Sequence, residues 1–282
     1  METSTKSSKT FLLGGEIKIN RMGYGGMQLT GHGVWGDAPD RETAKQVLNK
    51  AVDEGVNFID TADSYGPHTN EVLIEEALHP YYETITIATK GGLERPGPGV
   101  WTPNGSPEHI RQAIDGSLKR LKIDRIDLWQ LHRIDPKVPV EETFAPIVDA
   151  VKAGKIRFVG LSEVGVKEIE RAEKIIPIIS VQNLYNLSNR TWEDVVDYTA
   201  KRNMAFIPWF PLASGPGKMK EKIDSIAKKY NATVAQIALA WLMKRSPNIL
   251  LIPGTSSLQH LQENLEAGNI ELSDEDFNTL SK

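Results

Sequence analysis

At 282 residues, with 40% hydrophobic and 25% charged side chains, the chain is long and apolar enough to bury a sizeable core. Its net charge of -4 gives no basic footprint for nucleic acid and no polybasic patch for a membrane surface. It has no cysteine, which excludes disulfides, thiolate metal sites and a cysteine nucleophile.

Residues 1–10 are polar and rich in serine, threonine and lysine, and no apolar stretch follows a basic start. They read as a flexible tail rather than a secretory signal. No apolar run reaches membrane-spanning length, so a cytoplasmic enzyme is the expectation. Residues 11–19 predict a β-hairpin turning on Gly14 and Gly15. Eight short β-rich runs follow, at 22–25, 58–60, 85–90, 126–130, 156–161, 179–182, 205–209 and 249–252. Amphipathic stretches alternate with them at 41–54, 70–78, 107–121, 140–153, 166–175, 192–202, 219–244 and 257–267. Ser106 and Pro107 form an N-cap and first helical position, and Gly154 reads as a helix stop. Residues 219–244 are too long for one surface helix, so Asn231-Ala232-Thr233 should split them, with Thr233 capping the second. Alternating strands and helices imply a parallel sheet, and eight units at this length imply an α/β fold closed as a (β/α)8 TIM barrel. The hairpin would plug the barrel bottom, and residues 11–282 read as a single domain. The stretch 91–105, rich in glycine and proline, reads as an irregular loop over the barrel mouth.

Four polar side chains of distinct chemistry stand at strand ends. Asp60 ends the second strand, and Tyr65 lies in the turn after it; Lys90 ends the third, and His132 follows the fourth. In a parallel barrel that face carries the active site. Alternation turns Ile85 and Ile87 toward the helices and Thr86, Ala88 and Lys90 toward the interior, on the side of Phe58 and Asp60. Lys90 can therefore meet Asp60, the carboxylate a buried lysine needs. An adjacent ammonium is expected to lower the Tyr65 phenol by roughly 1–3 units. His132 can donate a hydrogen bond to a carbonyl oxygen. Such a set delivers a proton to a carbonyl but holds no hydride, which a cofactor must bring. Singly, each residue has a plainer reading: Asp60 as a turn cap, Tyr65 as a surface aromatic, His132 as a structural histidine. Lys90 alone also fits a Schiff-base aldolase.

The run from Asn57 to Gly66, the run from Leu131 to Pro136, and Ile252-Pro253-Gly254-Thr255 resemble the signatures of the aldo-keto reductase family. The resemblance spans nearly the whole chain. It implies reduction of an aldehyde or ketone to an alcohol, with Tyr65 as general acid/base, Lys90 and Asp60 tuning it, and His132 orienting the substrate. It implies NADPH, with NADH as the alternative, bound extended across the barrel mouth. Ser162, Glu163 and Gln182 fall at the family's carboxamide contacts, and Trp209 at the aromatic that stacks on nicotinamide. Pro211, Leu212 and Ala213 match the loop beside the pyrophosphate. Gly254, Thr255, Ser256, His260, Glu263 and Asn264 match positions around the adenosine phosphate and adenine. Two departures stand out. Glu163 replaces the usual asparagine, and a carboxylate can only accept from a carboxamide. Gly254 and His260 stand where many members carry a basic residue, and a histidine pairs with a 2′-phosphate only as pH allows.

Met27, Gln28, Trp35 and Trp101 are the expected substrate-pocket residues. Met27-Gln28-Leu29, Gly31, Gly33, Trp35-Gly36 and the run from Gly160 to Glu163 resemble a bacterial subgroup that includes pyridoxal reductases, which gives pyridoxal as a candidate substrate. The chain ends soon after its last predicted helix, so an open pocket is expected. The expected partner is a small-molecule carbonyl compound; a monomer is compatible with the sequence. A cofactor-binding regulatory subunit, resembling channel-associated β subunits, and the aldolase remain the alternatives. Gly215-Pro216-Gly217-Lys218 fails as a P-loop and the glycines from Gly23 fail as a Rossmann turn, since neither has the required spacing. The histidines show no metal-ligand spacing, and no metal is expected.

Overall fold

The computed structural model describes residues 10–212 and 218–282; Ala213 and the glycine-rich pattern beginning at Gly215 fall wholly or largely outside the described residues, as do residues 1–9 of the polar tail. The chain opens with β1 (Thr10–Leu13), β2 (Ile17–Asn20), β3 (Tyr24–Gly25), α1 (Arg41–Asp53), β4 (Phe58–Asp60) and α2 (Thr69–Leu78). It continues with β5 (Thr86–Gly91), β6 (Leu93–Gly97), β7 (Val100–Pro103), α3 (Pro107–Leu121), β8 (Ile126–Leu131), α4 (Val140–Lys152) and β9 (Ile156–Ser162). The remainder is α5 (Val166–Glu173), β10 (Ile178–Gln182), α6 (Glu193–Lys201), β11 (Ala205–Phe206), α7 (Lys218–Lys229), α8 (Val234–Arg245), α9 (Leu258–Glu266) and α10 (Asp274–Ser281).

Seven strands form one parallel sheet in the order β11-β10-β9-β8-β5-β4-β3. Residues 249–252 join its two edges: Ile249 bridges Phe206, and Leu251 bridges Met22. This eighth position is held by single bridges rather than a ladder, which differs from the predicted strand. A proline, which has no N–H to donate, ends the pairing at each edge. At the β3 edge the next donor in register to Gly23 O would be Pro253, and at the other edge, where Phe206 N–H donates to Asn248, the position falls on Pro208. Buried Arg21 compensates, donating to the carbonyls of Ile249, Met243 and Ser246 at 2.9, 2.9 and 2.6 Å. The eight positions match a (β/α)8 barrel.

Strand alternation sorts the core into two layers. Phe58, Ala88, Leu128, Ile207 and Leu250 form an inner cluster, and Leu13 and Ile19 of the β1–β2 hairpin belong to it. Ile59, Ile87, Trp129 and Val181 face outward into the layer shared with the helices. The hairpin turns on Gly14 and Gly15, both at positive φ. The predicted caps are present: Ser106 accepts from His109 N–H, and Thr233 forms a capping box with Gln236 that starts α8 after the break.

Two regions differ from the sequence reading. Residues 91–105 hold an antiparallel ribbon, β6 against β7, instead of an irregular loop. The C-terminal residues add α10, capped by Ser273 and fixed where Asp276 accepts from Lys229 and Tyr230 of α7 and the residue that follows it. Among the described residues no helix is long and apolar enough to cross a membrane.

Candidate active site

The floor of the site is built at the C-terminal ends of β4, β5, β8 and β10. Lys90 is completely buried and uses all three ammonium hydrogens: Asp60 Oδ2 accepts at 2.6 Å, Thr61 O at 2.9 Å and the Tyr65 hydroxyl at 3.3 Å. Asp60 Oδ1 in turn accepts from Gln182 Nε2 at 2.8 Å and from Gln130 Nε2 at 3.4 Å. Burial works against the charge on Lys90, but Asp60 and Tyr65 outweigh it and hold its pKa above the ordinary lysine value.

Tyr65 sits in the turn after β4, where its N–H donates to Ala62 O. Burial pushes its phenol above the ordinary value and outweighs the opposing pull of Lys90. This corrects the expected lowering: the charged neighbour is present, but the low-polarity surroundings win. His132 is buried too, and burial together with Lys90, Arg133 and Arg95 pushes it well below the usual histidine range, so it is neutral at neutral pH. Its Nδ1 lies 3.3 Å from Ser64 Oγ. In the tautomer where Nδ1 accepts from Ser64, Nε2 carries the hydrogen and is free to donate.

A cavity of about 760 Å³ opens above this floor. Asp60, Tyr65 and His132 line it, as do Met27, Gln28, Trp101, Ser162, Gln182, Trp209, Pro211, Leu212 and Gly254. Lys90 is not among the lining residues and lies behind Asp60 and Tyr65. Trp35 does not line it either; its backbone pairs with Gly66 and its ring lies 5.7 Å from Arg95. Thr255, Ser256, His260, Glu263 and Asn264 lie beyond the cavity, leading into or within α9, where Ser257 caps the helix by accepting from His260 N–H.

Three residues gain parts that the sequence reading did not give them. Arg95 of β6 is buried and donates to four backbone carbonyls: Gly33, Val34, Ser64 and Val100, at 2.7 to 2.9 Å. Its guanidinium also lies 3.5 Å from the centre of the Trp101 ring, which stands 6.2 Å edge-on from both Tyr65 and His132. The β6–β7 ribbon is thereby fastened to the Tyr65 turn. The one sequence signal was parity, since Leu93 and Arg95 share a strand face. Glu163 has positive φ, and its Oε1 accepts from Trp209 Nε1 at 2.6 Å and from Leu184 N–H at 2.5 Å. That oxygen fixes the indole instead of facing the cavity as a carboxamide ligand. Arg133 lines the cavity and donates through Nη1 to Ser162 Oγ at 3.0 Å and to His132 O at 2.5 Å.

The donor set suits a nicotinamide carboxamide. Gln182 spends its NH2 on Asp60 and keeps its carbonyl oxygen as an acceptor, while Ser162, accepting from Arg133, keeps its hydroxyl hydrogen as a donor.

Comparison with known proteins agrees. The profile described as the Aldo/keto reductase family matches residues 21–282. An uncharacterized oxidoreductase of Schizosaccharomyces pombe is 49% identical over 272 residues, covering 95% of this chain and 88% of that protein. Pyridoxine 4-dehydrogenase of Escherichia coli is 41% identical over 280 residues, covering 97% and 98%. A crystal structure of a Klebsiella pneumoniae aldo-keto reductase in complex with NADPH superposes with a TM-score of 0.80 at 25% identity, covering 97% of this chain and 94% of that one.

Proposed function

We propose, from the premise that this chain belongs to the aldo/keto reductase family and is an NAD(P)H-dependent oxidoreductase, that it reduces an aldehyde to an alcohol with Tyr65 as the proton donor. The observation that carries this reading is Lys90, which joins Asp60 to the Tyr65 hydroxyl at the base of the cavity. A bound reduced nicotinamide, NADPH in this reading, supplies the hydride. His132 Nε2–H holds the carbonyl oxygen. As negative charge gathers on that oxygen, the Tyr65 O–H transfers its proton to it, and the phenolate left behind is stabilised by Lys90. A phenol raised by burial stays protonated through neutral pH, as a donor in the reductive direction must. Ser162 and Gln182 would hold the carboxamide, Trp209 would stack on the ring, and Thr255, Ser256 and His260 around the N-terminal end of α9, with Glu263 and Asn264 further along the helix, would take the adenosine end of the cofactor.

The Schiff-base alternative fits poorly. A nucleophilic lysine needs a free lone pair, and every hydrogen of Lys90 is bonded while its pKa is raised. Pyridoxal is the proposed substrate, supported by the similarity to a pyridoxine 4-dehydrogenase. The position of Leu13 and Ile19 in the inner cluster supports the hairpin as the plug of the barrel bottom. Tyr65→Phe tests the proton donor. Turnover of pyridoxal and simple aromatic aldehydes should fall about 10²–10⁴-fold while NADPH affinity stays within about threefold. Undiminished turnover in the variant would remove Tyr65 from the mechanism.

A further inference from the structure

Arg133 is a cation at the wall of the cavity without an acidic partner. Among the described residues no carboxylate forms an ion pair with it. Glu163 is the acidic residue whose charge acts on it most strongly. Yet Glu163 Oε1 is committed to Trp209 Nε1 and Leu184 N–H rather than to the guanidinium. Arg133 itself is anchored: Nη1 bonds Ser162 Oγ and the His132 carbonyl, which fixes the group next to the residue that orients the substrate oxygen. The other lining charge, Asp60, is neutralised by Lys90. The cavity therefore carries beside His132 a guanidinium that no carboxylate pairs directly, with Glu163 acting on it only from a distance, and a half-buried guanidinium is costly without a bonded anion.

We propose that Arg133 binds an anionic oxygen of the substrate, so that the preferred substrates are aldehydes carrying a carboxylate or an ionised phenol. This rests on the carbonyl-reductase reading and narrows it to a substrate class. The guanidinium presents planar donors to such an oxygen, and a neutral aldehyde of the same size leaves it unpaired.

The experiment compares benzaldehyde with the three carboxybenzaldehydes, and with 4-hydroxybenzaldehyde above the pKa of its phenol, in the unaltered protein, Arg133→Met and Arg133→Lys. At least one anionic aldehyde should exceed benzaldehyde about tenfold or more in kcat/KM, mainly through KM. Arg133→Met should bring that ratio to about one, and Arg133→Lys should restore part of it. Because the readout is a ratio within each variant, a general loss from altered folding cancels. A carboxylate preference alone, or a phenolate preference alone, identifies which oxygen is read. Equal losses for neutral and anionic aldehydes, together with weakened NADPH binding, would assign Arg133 to the cofactor and overturn the proposal. Failure of every aldehyde in the unaltered protein would overturn the reductase reading. In that case calorimetric binding of benzoate, present in the unaltered protein and lost in Arg133→Met, would still uphold the anion site, and no difference would sink it.

Discussion

The floor and the rim of the cavity are held together by different physics. On the floor, Asp60, Lys90, Gln130 and Gln182 come from strand ends of one parallel sheet and bond one another in a closed network with every ammonium hydrogen used. At the rim, Arg95 grips backbone carbonyls of two separate loops and of the neighbouring strand β7, and Glu163 clamps an indole far away in sequence. The floor sets a charge state, while the rim sets where the aromatic rings stand. A substitution on the floor should therefore change chemistry and stability together, whereas one at the rim should move affinity and specificity.

The largest effect is expected at Lys90. Lys90→Met leaves the Asp60 carboxylate buried without its cation, at a cost of roughly 3–5 kcal/mol in unfolding free energy. It also removes the partner of the phenolate, so kcat should fall about 10³-fold. Urea unfolding and steady-state kinetics read the two losses separately; a stable, active Lys90→Met variant would show that the floor does not couple chemistry to stability. Arg95→Met comes next. It strands carbonyl groups under the ribbon, for about 2–4 kcal/mol, and frees Trp101. Its mark should be a KM rise for aromatic aldehydes larger than the drop in kcat. The opposite split would move Arg95 to the floor group.

Much of the floor could be read from the sequence because strand parity is local. Knowing that Ile85 and Ile87 face outward places Lys90 inside, and Asp60 is the nearest inward strand-end carboxylate. Parity does not report how deep a group lies, and so it missed that burial would raise the Tyr65 phenol. The rim depends on pairs with no sequence periodicity. Arg95 reaches residues 31 and 62 positions earlier, and Glu163 reaches Trp209 46 positions later. The two-residue turn of the ribbon, Pro98-Gly99 with Gly99 at positive φ, is a tight-turn signal, but the further glycines and prolines of 91–105 masked the short strands on either side of it. The α10 helix escaped notice although Ser273 followed by Asp274, Glu275 and Asp276 is a helix start.

Two carboxyls, one at the end of β4 and one in the turn after it, sharpen the contrast further. Asp60 is fully paired; Asp63, three residues on, is equally buried, and its Oδ1 has no hydrogen-bond partner. Burial, reinforced by Glu71, pushes Asp63 up to about 8. The folded protein thus holds a proton that the unfolded chain, with an ordinary carboxyl near 3.9, releases. Stability from this group is complete below pH ~4 and is lost as pH rises toward about 8. Between pH ~5 and ~7 this group contributes a slope of about −1.4 kcal/mol per pH unit, opposed by the lowered His68, His109 and His132, and Asp63→Asn should remove that contribution. Unfolding curves of both proteins with the same slope would show that Asp63 is charged in the fold.

The smallest effect separates a clamp from a ligand. Glu163→Ala should weaken NADPH binding by about 1–2 kcal/mol through a loosened Trp209, and Glu163→Gln, whose carbonyl oxygen still accepts from the indole, should recover most of it. A phenylalanine at 209 has no N–H for Glu163 to hold. In a Trp209→Phe background, therefore, the Glu163→Ala loss should shrink to a few tenths of a kcal/mol, as a double-mutant cycle on cofactor affinity would measure. The 3-acetylpyridine analogue of the cofactor, which lacks the carboxamide NH2, gives the complementary reading. If Glu163 acts only through the indole, its removal costs the same with either cofactor. If Glu163 instead accepts from the carboxamide, removing it costs affinity for the natural cofactor alone. The rim would then share the direct ligand contacts now assigned to Ser162 and Gln182.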